Sequence, residues 1–195
     1  MESKERKTVG ILAVQGDFAM HARMLDQIGV AWQLVKHVDD LAEVDALILP
    51  GGETTTMLKF LNERKMGDAI KSFAKENKPV FGTCAGAILM AKEVTNPEQE
   101  RLGLIDISIE RNAYGRQVDS SVQQGECPEL SERPVEMVFI RAPIIRRVGE
   151  GVKILGRAGG LPVLVEQGNL LAATFHPELT DDPTIHRHFL AKLGR

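Results

Sequence analysis

The chain is short of cysteine, of net charge and of long apolar runs, and each shortage narrows what it can be. Of its 195 residues only Cys84 and Cys127 are cysteines, with no C-x-x-C spacing, so neither a disulfide framework nor a cysteine-based zinc site is expected. The 24 basic and 27 acidic side chains leave a net charge of −3, which gives no general electrostatic case for nucleic acid or a membrane surface as partner. No stretch is long and apolar enough to span a bilayer, and the opening residues 1–8 form a polar leader with no apolar segment behind it. There is no internal repeat, low-complexity tract or interdomain linker. What remains is 195 residues with 43% hydrophobic content, enough for one well-buried core. One domain over residues 1–195, in a soluble cytoplasmic protein, is the simplest expectation.

Short apolar runs alternate with helical patterns in the first half. Val9 to Val14, Val30 to Val35, Ala46 to Leu49 and Val80-Phe81 read as buried strands. Phe18, His21, Leu25 and Ile28 fall at helical spacing before Gly29, Thr54 to Glu76 reads as two helical pieces broken near Lys65-Met66-Gly67, and Ala85 to Glu93 reads as helix. The second half is different: Leu104 to Glu110, Val135 to Arg141, Lys153 to Leu155, Val163 to Glu166 and Leu170 to Phe175 read as strands with short turns, and Pro183 to Leu193 as a closing helix. The expected class is α/β, a three-layer α/β/α sandwich around an open, mostly parallel, flavodoxin-like sheet with an antiparallel extension. Sites in such sheets form beyond the carboxyl ends of the strands. Three of those ends carry unusual sequence: Pro50-Gly51-Gly52-Glu53, Gly82 to Gly86, and Phe175-His176-Pro177-Glu178.

Cys84 stands in Gly82-Thr83-Cys84-Ala85-Gly86, a G-x-nucleophile-x-G turn that carries a side chain from a strand end to a helix start. A helix N-terminus there favours thiolate over thiol. Free cysteine is otherwise among the most buried and inert residue types, so the turn gains meaning only with partners. His176-Pro177-Glu178 offers them. In extended chain, residues two apart share a side, and Pro177 biases His176 toward that geometry. Glu178 is placed to hold the imidazole while its other nitrogen faces the thiol; alone the tripeptide reads more readily as a surface turn, and it is the combination with Cys84 that reverses this. The pair Gly51-Gly52 can turn backbone N–H groups toward a developing negative charge, with the Ala85 N–H as second donor, or can simply be a strand-to-helix turn capped by Thr54 or Thr55.

Other candidates carry less. His186 and His188 diverge on a helix and read as a solvated face, and His21 and His37 have no companion ligand pattern. Cys127 reads as a loop or packing residue and Asp17 as a helix cap. Among Arg111, Arg116, Arg141, Arg146 and Arg147, one or two at most are expected to meet a ligand carboxylate.

These residues resemble class I, triad-type glutamine amidotransferases, in which an elbow cysteine pairs with a distant His-x-Glu. Six segments narrow the resemblance to the glutaminase subunits of pyridoxal 5'-phosphate synthase: Leu12 to Asp17, Leu49 to Thr55, Phe81 to Gly86, Arg111 to Gln117, Phe139 to Pro143 and Phe175 to Thr180. The resemblance runs from about Val9 to Phe189. It implies Cys84 as nucleophile, His176 as general base and acid, and Glu178 as orienter. It further implies an oxyanion hole from the Gly52 and Ala85 N–H groups, and an L-glutamine pocket from Gly52, Glu53, Thr54, Arg111, Ile140 and Arg141. Gln15 falls at the boundary with a synthase subunit. That partner is expected to complete the oxyanion hole and to receive the ammonia, and the chain itself to need no metal or organic cofactor. Thr54 in place of the family's usual serine, Tyr114 in place of phenylalanine, and Val118 to Val122 without the usual aromatic are local departures. Within enzymes, the rival reading is another sheet-edge cysteine hydrolase acting on peptides or glycated substrates. A glutaminase serving a different synthase, and a non-catalytic regulatory subunit, are further readings.

Overall fold

The computed structural model describes residues 7–112 and 120–194. Its chain order is β1 (Thr8–Leu12), α1 (Phe18–Ile28), β2 (Ala31–Val35), β3 (Ala46–Leu49), α2 (Thr54–Glu63), α3 (Met66–Lys75), β4 (Val80–Thr83) and α4 (Ala85–Met90). Then follow β5 (Ala91–Thr95), β6 (Ile105–Glu110), β7 (Ser120–Gly125), β8 (Val135–Ile140), β9 (Ile144–Val148), β10 (Lys153–Ala158), β11 (Leu161–Gln167), β12 (Leu170–Ala173) and α5 (Thr184–Leu190).

Seven strands form one sheet in the order β10-β11-β12-β4-β3-β1-β2. The five from β12 to β2 are parallel, and β11 and β10 extend the sheet antiparallel. That is the expected open, mostly parallel sheet with an antiparallel extension. Strand alternation explains its two cores. In β3, Leu47 and Leu49 face a cluster with Met57, Leu61, Ile70 and Leu89, whereas Ala46 and Ile48 face a cluster with Leu25, Phe175 and Phe189. So α2, α3 and α4 cover one face while α1 and α5 cover the other, which gives the three layers. Two smaller sheets complete the molecule, β5-β6-β9 and the hairpin β7-β8.

Three local expectations need correction. The helix read over Ala85 to Glu93 stops at Met90, and Ala91–Thr95 is a strand paired parallel with β6. All six residues of α4 are buried, so its apolar run is set by depth and does not extend a helical stripe into the next element. The strand Ile144–Val148 was not anticipated, because Arg146 and Arg147 interrupt its apolar pattern; they pair with Glu110 and Asp106 of the neighbouring β6. The strand Ser120–Gly125 is polar because one whole side of its hairpin is exposed. Among the described residues no helix is long and apolar enough to cross a membrane.

Candidate active site

The carboxyl ends of β3, β4 and β12 meet, and each brings one of the unusual segments. At the end of β4, Cys84 takes φ 46° and ψ −102°, a conformation that costs an L-residue about 1–3 kcal/mol and concentrates at functional sites. The turn is held from both sides. Cys84 N–H donates to the Ala173 carbonyl at the end of β12 (2.8 Å), and α4 packs so closely on β3 that a Cβ at Gly86 would lie 2.0 Å from the Leu49 carbonyl oxygen. The thiol is 7% exposed, with Sγ 3.9 Å from the Ile140 carbonyl oxygen.

His176 follows β12, and its N–H donates to the Val138 carbonyl of β8 (2.8 Å). Its Nδ1 lies 2.8 Å from Glu178 Oε1, and both residues are buried. Nδ1 is thus committed to the carboxylate, and Nε2 is left for the thiol. Burial alone would lower the His176 pKa, but hydrogen bonding to Cys84 and to Glu178, with the charges of both, raises it to about 10. Burial pushes the Glu178 carboxyl upward, against the pull of its bond from His176. A second carboxylate, Asp17 Oδ2, stands 3.6 Å from His176 Nδ1. Asp17 occupies the N-cap place of α1 as expected, yet its side chain makes no cap hydrogen bond. Asp17, His176 and Glu178 present ligand atoms within 4.8 Å of one another, a grouping made by the candidate base and its two neighbouring carboxylates.

A cleft of about 150 Å³ opens beside Cys84, lined by Gly52, Glu53, Thr54, Ala85, Ile88, Arg111, Asn112, Ile140 and Arg141. Every residue assigned to the glutamine pocket is therefore present on its wall, from three separate parts of the chain. The Arg111 guanidinium donates to Thr54 Oγ1 (2.8 Å), and that hydroxyl donates onward to Gln99 Oε1 (3.0 Å). Gln99 carried no signal in the sequence, since it lies in a loop with no motif around it. Arg141 has φ 43°, which turns the chain at the cleft edge. Arg146 and Arg147 are held in surface ion pairs, and Arg116 and Tyr114 lie outside the described residues.

The cap of α2 is Glu53, not Thr54 or Thr55. Its carboxylate accepts from Thr55 N–H (2.9 Å) and from the N–H and hydroxyl of Thr56 (2.7 Å each). The Thr56 hydroxyl, ahead of the opposing effect of burial and with the two N–H groups, holds the Glu53 carboxyl down to about 2. Glu53 thereby offers the cleft its backbone more than its charge. Gln15 stands behind the same turn, its Oε1 accepting from Glu53 N–H at 2.6 Å.

The sequence reading of the histidines needs correction. His186 is fully buried, not on a solvated face, and lies 3.0 Å from His21, which is also fully buried. His188 pairs with Glu166. Cys127 is buried, and burial raises its thiol to about 11, which suits packing and not attack.

The SNO glutamine amidotransferase family matches residues 11–194 of this chain. The chain belongs to that family. It is 55% identical over 192 residues to a pyridoxal 5'-phosphate synthase subunit PdxT of Solibacter usitatus, covering 96% of this chain and all of the relative. A PdxT of Thermus thermophilus is 50% identical across 97% of this chain and 99% of its own length. A crystal structure of a glutamine amidotransferase superposes with a TM-score of 0.90 at 48% identity, over 96% of this chain and 99% of that one. A more distant structure, PurLQS from Thermotoga maritima, shares the fold at a TM-score of 0.70 and 16% identity, over 96% of this chain and 98% of that one.

Proposed function

We propose that the protein is the glutaminase of a pyridoxal 5'-phosphate synthase, hydrolysing L-glutamine to L-glutamate and ammonia. The observation that carries this reading is the His176–Glu178 hydrogen bond, set beside a strained elbow cysteine whose cleft is walled by the expected glutamine-pocket residues.

The chemistry follows from the arrangement. The Cys84 thiolate attacks the side-chain carboxamide carbon of glutamine. Negative charge develops on the carboxamide oxygen, where the Ala85 N–H at the start of α4 and the Gly52 N–H are the proposed donors, each worth about 2.7–4 kcal/mol in comparable acyl transfer. His176 enters this step as imidazolium, the form its raised pKa favours, and gives its proton to the departing nitrogen as ammonia leaves. The neutral imidazole then takes a proton from water, hydroxide adds to the γ-glutamyl thioester, and collapse releases glutamate and the thiolate. Glu178 keeps the ring's Nδ1 occupied throughout, so Nε2 always faces the sulfur. Arg111 and Arg141 are the proposed partners of the substrate carboxylate.

The ammonia is consumed by a second protein, the synthase subunit, which joins it to a pentose phosphate and a triose phosphate in a cytoplasmic complex. Gln15, which holds the Glu53 N–H, is the proposed point at which that partner bears on the oxyanion turn. Glutamate release, measured with and without the synthase subunit, tests the reading. Cys84→Ala is expected to abolish turnover, and Glu178→Gln to lower it while the fold stays intact. Undiminished turnover by Cys84→Ala refutes the nucleophile.

A further inference from the structure

Beyond Glu178, a line of polar groups runs through the apolar layer between the sheet and its covering helices. The Thr83 hydroxyl lies 3.5 Å from Glu178 Oε1, His21 Nε2 lies 3.1 Å from Thr83 Oγ1, and His21 Nδ1 lies 3.0 Å from His186 Nε2. His21 Nε2 is also 3.6 Å from Glu178 Oε2. Thr83, His21 and His186 come from β4, α1 and α5, and all three are buried, the two histidines completely, with Phe81 edge-on to both rings. The hydrolysis described above uses none of the three.

The direction of the line follows from its ends. Burial disfavours the charged form of both imidazoles, so each is neutral, with one N–H and one bare nitrogen. Suppose the donors point toward Glu178. His186 Nε2–H then donates to His21 Nδ1, His21 Nε2–H to Thr83 Oγ1, and the Thr83 hydroxyl to Glu178. Every proton is used, and what is left without a hydrogen-bond partner among the described residues is acceptor only: the lone pair of His186 Nδ1 and Glu178 Oε2. Reversing the line buries an unpaired N–H at His186 and turns the Thr83 proton away from the carboxylate. A buried donor without an acceptor is the costlier fault, so the donors run to Glu178.

We propose that His21 is a positioning residue for glutamine hydrolysis: through the Thr83 hydroxyl it keeps Glu178 an ionised carboxylate turned to His176, and His186 fixes the tautomer that lets it do so. The proposal rests on the reading of Cys84, His176 and Glu178 as the catalytic groups. Its physical content is compensation, because burial drives Glu178 toward the neutral acid and a neutral acid cannot hold an imidazolium. The titratable groups facing His176 are Cys84 from the elbow, Glu178 from its own segment, Asp17 from the loop before α1, and His21 from α1. Without the line, Glu178 protonates more readily, His176 loses part of its stabilisation as imidazolium, and the proton needed by departing ammonia is lost at lower pH.

The test is the pH profile of glutamine turnover by the complex with its synthase subunit. For His21→Leu, kcat is expected to fall about tenfold to hundredfold, as for other supporting residues behind a reactive group. Its alkaline limb should move down by about one pH unit, with KM for glutamine within about twofold because the cleft wall is untouched. Thr83→Val, nearly isosteric, should reproduce the shift with both histidines in place, and it reads the line even if His21→Leu fails to fold. His21→Gln, which keeps a donor, and Thr83→Ser should restore most of the rate and the limb. A fall in rate with no movement of the limb in His21→Leu and Thr83→Val marks a packing role only and overturns the proposal, as does an unchanged rate. Turnover by Cys84→Ala would instead bring down the underlying triad, so the two failures are distinguishable.

Discussion

Substituting Gly51 by alanine should disable the site from a position that touches no substrate. A Cβ built there lies 2.4 Å from His176 Cε1, 3.0 Å from Nδ1 and 3.4 Å from Nε2. Carbon atoms in contact settle near about 3.5 Å, so the ring must retreat by about 1 Å. The Nδ1–Glu178 bond, now 2.8 Å, has no slack for that retreat, because Glu178 is itself walled in. Displacements of about 1 Å at a reacting group cost about 100-fold in rate, which is the expected fall in kcat for Gly51→Ala. The assay is glutamate release by the complex with the synthase subunit, with thermal melting alongside to show that the variant is folded. Because the methyl group points at the base and not into the cleft, KM should change little beside kcat. A folded Gly51→Ala enzyme within about threefold of the wild type in kcat would refute the packing of His176 against the glycine turn, since ordinary clashes of this depth are not absorbed.

Thr54→Val removes the hydroxyl that accepts from Arg111 and donates to Gln99 while keeping its shape. Losing a hydrogen bond to a charged group costs about 1.5–3 kcal/mol, so KM for glutamine should rise at least about tenfold in steady-state kinetics, with a smaller effect on kcat. Glu53→Ala removes the cap of α2 and should cost about 1 kcal/mol, read as a fall of about 2–4 °C in melting temperature. The Glu53 pKa is depressed to about 2, so the cap contributes fully above the ordinary carboxyl range and fades as pH falls toward 2. Melts of wild type and Glu53→Ala should therefore differ at neutral pH and converge in acid.

What the residues reveal in order along the chain, and what they conceal, has a physical pattern. The parallel strands were legible because burial on both faces makes them short apolar runs, and the three strand-end segments were legible because elbows and glycine turns tolerate few residue types. The hairpin strand Ser120–Gly125 was not, since a solvent-facing strand has no apolar signature. His21 and His186 were missed because they lie 165 positions apart and pair only once α1 and α5 cover the same face. Helical spacing did place His21 with Leu25 on the buried stripe of α1, and that was the signal available: a histidine in an apolar stripe needs a partner. Glu53 as the cap of α2 was obscured by two threonines beside it that are equally good cap formers by type.

The loop between β1 and α1 ties the two halves of the mechanism together. On one side of Gly16, Gln15 Oε1 accepts from Glu53 N–H at 2.6 Å; on the other, Asp17 N–H donates to the Gly51 carbonyl at 3.0 Å while its carboxylate stands 3.6 Å from His176. The glycine turn that would bind the oxyanion and the loop that faces the base are therefore clamped by two hydrogen bonds into one unit. Approach is so close at Gly16 that an added Cβ would lie 1.7 Å from the Gly51 carbonyl oxygen. A force applied at Gln15 cannot move the glycine turn without also moving the Asp17 charge seen by His176. Nucleophile and base alone would not make such a site competent; the backbone of residues 15–17 and 51–53 must take up one joint arrangement, and Gln15 is the side chain proposed above as the point at which a second protein selects it.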